Sequence, residues 1–349
     1  MTNPDGAQML AAFADHGGRI GEARARYPNA RAPWIDLSTG IAPWGYSIPE
    51  LRSECWTRLP EPDALAGLEA AARAYYGVPA GIRVVAVSGS DMGIGLIPRL
   101  LTGRAKAGIV APTYGSHAAA WRAAGHEVIE VDGIEGMAGC DVGVVVNPNN
   151  PDGRVWEPGI LREMAAGMAV DGGLLVVDEA FGDVSPERSV LVGAVGDMPG
   201  VVVLRSFGKF FGLAGMRLGF VISETWVAGM TAQVCGAWPV SGAAVAVATR
   251  AYSDRAWVMA QRERLAAEGA RLQGKLAAAG LTDLGGTALF RLVGHKEGAG
   301  LFHHLAGEGI LVRPFAGGTR LRFGLPGDEA AWGRLEAGLY GWKREGGGV

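Results

Sequence analysis

Short valine-rich apolar runs alternate along most of this chain with longer stretches in which Ala, Leu, Glu and Arg recur at helical spacing. Residues 65–76 have that spacing and stop at Gly77-Val78-Pro79, a usual helix end. Residues 83–87 form a β-rich run, followed at once by Ser88-Gly89-Ser90-Asp91 and a helical pattern over 92–101. Strands are then predicted over 107–111, 126–131, 141–146, 174–177, 201–205 and 218–222, with helices over 117–124 and 159–169 between them. This alternation predicts an α/β fold with a mostly parallel sheet covered by helices on both faces. In such sheets ligands sit beyond the carboxyl ends of the strands, where the loops gather.

After about Glu224 the pattern changes. An Ala- and Arg-rich helical stretch runs to about residue 279, and strand candidates follow over 288–292, 310–312 and 320–324. This predicts a smaller α+β lobe. Residues 1–45 read as an arm, polar at first and punctuated by Pro and Gly over 27–44. The expected organisation is an arm over 1–45, a large ligand-binding domain over 46–224, and a linking helix with a small domain over 225–349.

Composition narrows the class. A length of 349 residues suits two domains, and 49% apolar with 19% charged residues excludes a disordered chain. A formal net charge of −3 gives no attraction for nucleic acid or an anionic membrane surface. Cys55, Cys140 and Cys235 are scattered and form no C-x-x-C, so reduced thiols are expected and neither a disulfide framework nor a metal site. Residues 1–15 have no basic start with a long apolar run, and no stretch reaches the ~18 apolar residues of a membrane span. A cytoplasmic protein is expected.

Four loops, each after a predicted strand, carry the candidate chemistry. Gly89-Ser90-Asp91 opens a helix, where free N–H groups and the helix dipole suit a phosphate; an ordinary N-cap is the competing reading. Asn147-Pro148-Asn149-Asn150-Pro151-Asp152-Gly153 alone is a turn cluster. Asp178, in Asp178-Glu179-Ala180-Phe181, ends a buried strand, where a carboxylate needs a cation or strong donor; it could equally cap a helix or pair with an arginine. Ser206-Phe207-Gly208-Lys209 places a lysine among aromatics and glycines, unlike a solvated face, and Arg217 follows eight residues on. A nucleotide-binding oxidoreductase is disfavoured, because 89–95 lacks G-x-G-x-x-G spacing and no acid ends the next strand.

The order and spacing of these loops resemble the class I/II branch of the fold-type I aminotransferase superfamily, over nearly the whole chain. The resemblance implies pyridoxal 5'-phosphate as cofactor, held as a Schiff base by Lys209, which also shuttles the proton. By the same resemblance Asp178 pairs with the pyridine nitrogen, Asn150 bonds the ring hydroxyl and Tyr114, in Pro112-Thr113-Tyr114, stacks on the ring. Gly89, Ser90, Asp91, Ser206 and Arg217 hold the phosphate, and Arg322 clamps the substrate carboxylate.

Three further stretches narrow the likeness: His16-Gly17-Gly18-Arg19-Ile20, Ile35-Asp36-Leu37-Ser38-Thr39-Gly40-Ile41, and Leu59-Pro60-Glu61-Pro62-Asp63 with Tyr75-Tyr76-Gly77. Together they resemble the threonine-phosphate decarboxylases of cobalamin biosynthesis, relatives of the histidinol-phosphate aminotransferases. The implied reaction turns O-phospho-L-threonine into (R)-1-amino-2-propanol phosphate and carbon dioxide, with amino-group transfer as the alternative. His16, Arg313 and Arg322 are then the candidates to meet the substrate phosphate, with the Gly17-Gly18 backbone and Ser38-Thr39 nearby, which leaves open which arginine takes the phosphate and which the carboxylate; a homodimer is expected. Three positions depart from the pattern, the first being Ala42, which stands where an Asn is common in the Ile-Asn-Pro form of the arm motif. Phe181 stands where many members have a tyrosine that bonds the ring hydroxyl. Leu59 stands where relatives have a tyrosine that reaches the partner subunit's phosphate.

Overall fold

In a computed structural model, residues 10–194, 196–224 and 226–344 are described; the first nine residues of the expected arm and the C-terminal Gly346-Gly347-Gly348 lie outside them. The chain forms two compact units. The larger comprises Gly45–Asn150 and Arg154–Ala260, and the smaller comprises Met1–Trp44, Pro151–Gly153 and Gln261–Val349.

The larger unit is built on a seven-stranded sheet. Its strands lie in the order Arg83–Val87, Gly219–Ser223, Val201–Ser206, Leu174–Asp178, Val142–Val146, Lys106–Val110 and Glu127–Val131. All neighbouring pairs are parallel except those made by Gly219–Ser223, which runs against both of its neighbours. The mostly parallel sheet expected from the valine runs is therefore present.

The central runs Val142–Val146, Leu174–Asp178 and Val201–Ser206 are buried along their whole length and almost wholly apolar because both faces are covered. On one face Val142, Val144, Val176, Val202, Leu204 and Val221 meet Ile94 and Ile97 of the helix Ser90–Leu100 and Trp121 of the helix Ser116–Ala123. Against the other lie the helices Pro62–Tyr76 and Pro158–Val170. Each such buried Val or Leu contributes about 1.5–3 kcal/mol, so the strand ends are held by a rigid core. Register aligns those ends: Val146 sits opposite Asp178, Asp178 opposite Leu204, and both Ser206 and Val87 opposite Gly219. The loops that follow carry the candidate residues.

The stretch expected as one long helical run divides into Trp226–Cys235, Gly242–Ser253 and Arg255–Ala278. Gly236 and Pro239 break it first, since Gly236 takes a left-handed φ of 71° and proline lacks an N–H. Asp254 marks the second break and bonds the Trp257 N–H.

The smaller unit has a four-stranded antiparallel sheet ordered Arg313–Phe315, Arg320–Gly324, Phe290–Gly294 and Thr282–Thr287. The expected strand over 288–292 is thus displaced: 288–289 form a turn between two strands. The edge strand Thr282–Thr287 was unforeseen because Gly285 and Gly286 interrupt any alternation. Those glycines are required there. A side chain on Gly285 would start 2.3 Å from the Asp152 carbonyl oxygen, and one on Gly286 would start 2.2 Å from that of Phe290. The short strand Ile35–Asp36 pairs in parallel with Ile310–Leu311 and ties the arm to this unit.

Candidate active site

Asp178 is almost wholly buried at the end of its strand. Its Oδ1 accepts the Ala180 N–H at 2.9 Å, and its Oδ2 lies 2.9 Å from His117 Nε2. His117 is buried on the first turn of Ser116–Ala123, and its ring meets Tyr114 edge-on at 6.3 Å. Nothing in the sequence pattern singled out His117; its place three residues after Tyr114 is the signal that could have done so. Tyr114 donates to Asp91 Oδ1 at 3.3 Å. Burial pushes the Tyr114 phenol up, opposed by a hydrogen bond with Ser116, so it keeps its proton at neutral pH.

Asn147, Asn149 and Asn150 are all buried. Asn147 braces its own turn, bonding the Trp156 N–H and the Arg188 carbonyl. Asn149 donates to the Pro112 carbonyl at 2.9 Å and accepts the Thr113 hydroxyl at 2.6 Å, which clamps the loop that presents Tyr114. Asn149 is a second residue missed from sequence, where it looked like one more turn former.

Gly89 precedes the helix Ser90–Leu100 with φ 86° and ψ 154°, a region open essentially to glycine alone. A Cβ there would lie 2.6 Å from Arg217 Nη2, so the bare backbone lets the guanidinium lie over the helix start. Arg217 itself has a left-handed φ of 50°, and its Nη2 is 3.8 Å from Asp91 Oδ2. Gly219 also needs to be bare: a Cβ would stand 2.4 Å from the Ser90 nitrogen. Ser206 is buried opposite Gly219. Lys209 follows in a tight turn, where a Cβ on Gly208 would reach within 2.6 Å of the Ala214 Cα. Its Nζ lies 5.9 Å from the Phe181 ring centroid.

A second set lies within the smaller unit. Arg313 and Arg322 are directly opposite in the antiparallel ladder, so both side chains share one face of the sheet, and both are buried. Arg322 donates to the Ser38 carbonyl at 2.8 Å and lies 4.8 Å over the Phe290 ring. Arg313 donates to the carbonyls of Ala14 and Asp15, the latter at 2.7 Å. Gly18 donates its N–H to Ser38 Oγ at 2.8 Å, and a Cβ on Gly17 would lie 2.4 Å from the Ser38 oxygen. Gly17, Gly18, Ser38 and the two arginines are thus gathered, with Thr39 3.6 Å from where a Gly18 side chain would begin and His16 adjoining in the chain.

The larger unit offers a cation over a bare-backbone helix start, a buried carboxylate braced by histidine, a lysine amine and a tyrosine ring. These match the phosphate, ring nitrogen, aldehyde and ring face of pyridoxal phosphate, so the donor set fits that group. Among the described residues no group of three His, Cys, Asp or Glu could hold a metal ion, and no helix is long and apolar enough to cross a membrane.

The chain belongs to the aminotransferase class I and II family, which its residues 47–335 match. It is 47% identical over 332 residues to the threonine-phosphate decarboxylase of Pseudomonas aeruginosa, covering 94% of this chain and 98% of that one. It is 41% identical over 328 residues to the threonine-phosphate decarboxylase of a Sinorhizobium species, covering 93% and 97%. In fold it resembles the histidinol-phosphate aminotransferase of Sinorhizobium meliloti, solved in complex with pyridoxal-5'-phosphate, with a TM-score of 0.78, 21% identity, and coverage of 93% and 94%.

Proposed function

We propose that this chain is a pyridoxal-phosphate-dependent lyase that decarboxylates O-phospho-L-threonine to (R)-1-amino-2-propanol phosphate in cobalamin biosynthesis. The observation that carries this reading is the 47% identity to a threonine-phosphate decarboxylase along 94% of the chain.

When bound, pyridoxal phosphate supplies an electron sink for the pair left behind as carbon dioxide departs. Lys209 would hold it covalently through the side-chain amine and later deliver a proton to the substrate Cα. Asp178, fixed by His117, would keep the ring nitrogen protonated. Asn150 would bond the ring hydroxyl, and Tyr114 would cover the ring face. The bare backbone at Gly89, the N–H groups of Ser90 and Asp91, the Ser206 hydroxyl and the Arg217 guanidinium would hold the phosphate.

Arg322 would clamp the substrate carboxylate with its planar fork. Arg313, His16 and Thr39, with the Gly17 and Gly18 backbone, would receive the substrate phosphate. Two arginines directly opposite each other on one sheet face concentrate positive charge there, which suits a substrate with two anionic groups. We further propose a cytoplasmic homodimer. Exposed Trp56, Leu59, Trp226 and Trp238 give the larger unit apolar surface for a second copy to cover.

The test is substrate preference. The kcat/KM for O-phospho-L-threonine should exceed that for histidinol phosphate with 2-oxoglutarate by at least about 100-fold, a transition-state difference near 2.7 kcal/mol. The reverse preference would favour the aminotransferase reading.

A further inference from the structure

Asp178 is followed at once by a second acid, and the two carboxylates take different partners. Asp178 meets His117. Glu179, fully buried, lies 3.1 Å from Arg205 Nη1 and accepts the Ser189 hydroxyl at 2.6 Å and the Val190 N–H at 2.7 Å. Arg205 belongs to the neighbouring strand, one residue before Ser206 and four before Lys209.

The guanidinium of Arg205 is fixed on several sides. It also donates to the Glu179 backbone carbonyl at 3.3 Å and lies 4.1 Å over the Tyr76 ring. Gly182 leaves room for it, since a Cβ there would lie 2.1 Å from Arg205 Nη1. Burial alone would lower the guanidinium pKa, but the Glu179 and Asp183 carboxylates outweigh burial and hold it firmly charged. One cation thus fastens the 179–183 turn, which carries Phe181, and the Phe181 ring faces the Lys209 amine.

We propose that the Arg205–Glu179 pair is a positioning device for the cofactor site: it locks the turn after Asp178 to the strand that delivers Ser206 and Lys209, and so sets the geometry in which both grip pyridoxal phosphate. This rests on the reading of Asp178 and Lys209 as cofactor-holding residues. A buried ion pair is a poor stabiliser in itself, because an apolar pair of similar volume is often as stable or more so. Positioning and stability therefore separate by experiment.

The variants are Arg205→Met, Arg205→Lys, Glu179→Gln and the double Arg205→Met/Glu179→Leu. For each, Tm, the dissociation constant for added pyridoxal phosphate, kcat and KM are measured. The double variant should recover most of the Tm lost by Arg205→Met while keeping at least about a 10-fold loss in both pyridoxal-phosphate affinity and kcat. Arg205→Lys, with charge but no fork, should bind the cofactor better than Arg205→Met. A double variant with wild-type affinity and kcat would overturn the proposal. If the double variant does not fold, Glu179→Gln and Arg205→Lys decide: unchanged affinity and kcat with a lowered Tm leaves the pair only structural. Lys209→Ala and the wild type run in the same titration. A wild-type protein that takes up no pyridoxal phosphate overturns the functional reading, and this inference with it.

Discussion

His117 Nε2 lies 2.9 Å from Asp178 Oδ2, with both side chains almost completely buried. A carboxylate so far from water needs its partners. The histidine comes from the helix after one strand and the aspartate from the end of another, so their contact ties the Tyr114 loop to the floor of the site.

Replacing His117 with Phe leaves Asp178 buried with one partner fewer, a loss of about 1–3 kcal/mol or more for a charged group. The His117→Phe protein should bind pyridoxal phosphate at least 10-fold more weakly, roughly 1.4 kcal/mol, and melt at a lower temperature. Absorbance titration with the cofactor and thermal melting check both. His117→Asn, which can still donate to the carboxylate, should recover part of the affinity.

A side chain at Gly89 meets two obstacles, the backbone conformation and Arg217 Nη2 at 2.6 Å. Backbone strain of about 1–3 kcal/mol is expected from the conformation alone. Gly89→Ala should therefore weaken pyridoxal-phosphate binding about 10- to 100-fold by displacing the guanidinium. Comparing uptake of pyridoxal phosphate with uptake of pyridoxal isolates the phosphate share. Equal losses for both would mean that the helix start does not hold the phosphate.

The paired arginines make separable predictions. Arg313→Lys should reduce the preference for O-phospho-L-threonine over L-threonine by about 10-fold, because lysine cannot reproduce the fork. Arg322→Lys should lower kcat/KM for both compounds by a similar factor, since both carry the carboxylate. Steady-state kinetics on the two amino acids checks this. A swapped pattern would exchange the two assignments.

The pH dependence of stability has a candidate in the smaller unit. Burial holds the His303 pKa below its ordinary 6.5, and Tyr27, its phenol pushed up to about 12 by burial, places its hydroxyl 2.5 Å from His303 Nδ1. Below about pH 6.5 the unfolded chain binds the proton first, so the stability contributed by neutral His303 is present above that pH and lost on acidification. The Tm of His303→Gln should fall less than that of the wild type between about pH 8 and 5.5. Equal falls would mean the imidazole plays no part.

The central sheet could be read from the chain because Val142–Val146, Leu174–Asp178 and Val201–Ser206 are short valine-rich runs, too short for helices and set between turn residues and helical stretches. The site loops could be read because each candidate follows such a run. His117 could not: a histidine in a helical stretch does not announce a carboxylate brought to it from another strand. Arg205 left a fainter sign, a charge inside a run otherwise fit for burial, but its partner emerges only from strand order. The edge strand Thr282–Thr287 was illegible for the opposite reason. Gly285 serves a close backbone approach to Asp152 and Gly286 one to Phe290, and such contacts leave no periodic mark.

The reaction itself turns on what leaves Cα. Purified protein loaded with pyridoxal phosphate should be given O-phospho-L-threonine labelled at the carboxyl carbon, with 2-oxoglutarate present, and labelled carbon dioxide and glutamate counted together. The account predicts one carbon dioxide per O-phospho-L-threonine consumed, (R)-1-amino-2-propanol phosphate as the co-product, almost no glutamate, and neither product from Lys209→Ala. Glutamate formed in step with substrate loss, the label retained in a 2-oxo acid, would contradict it.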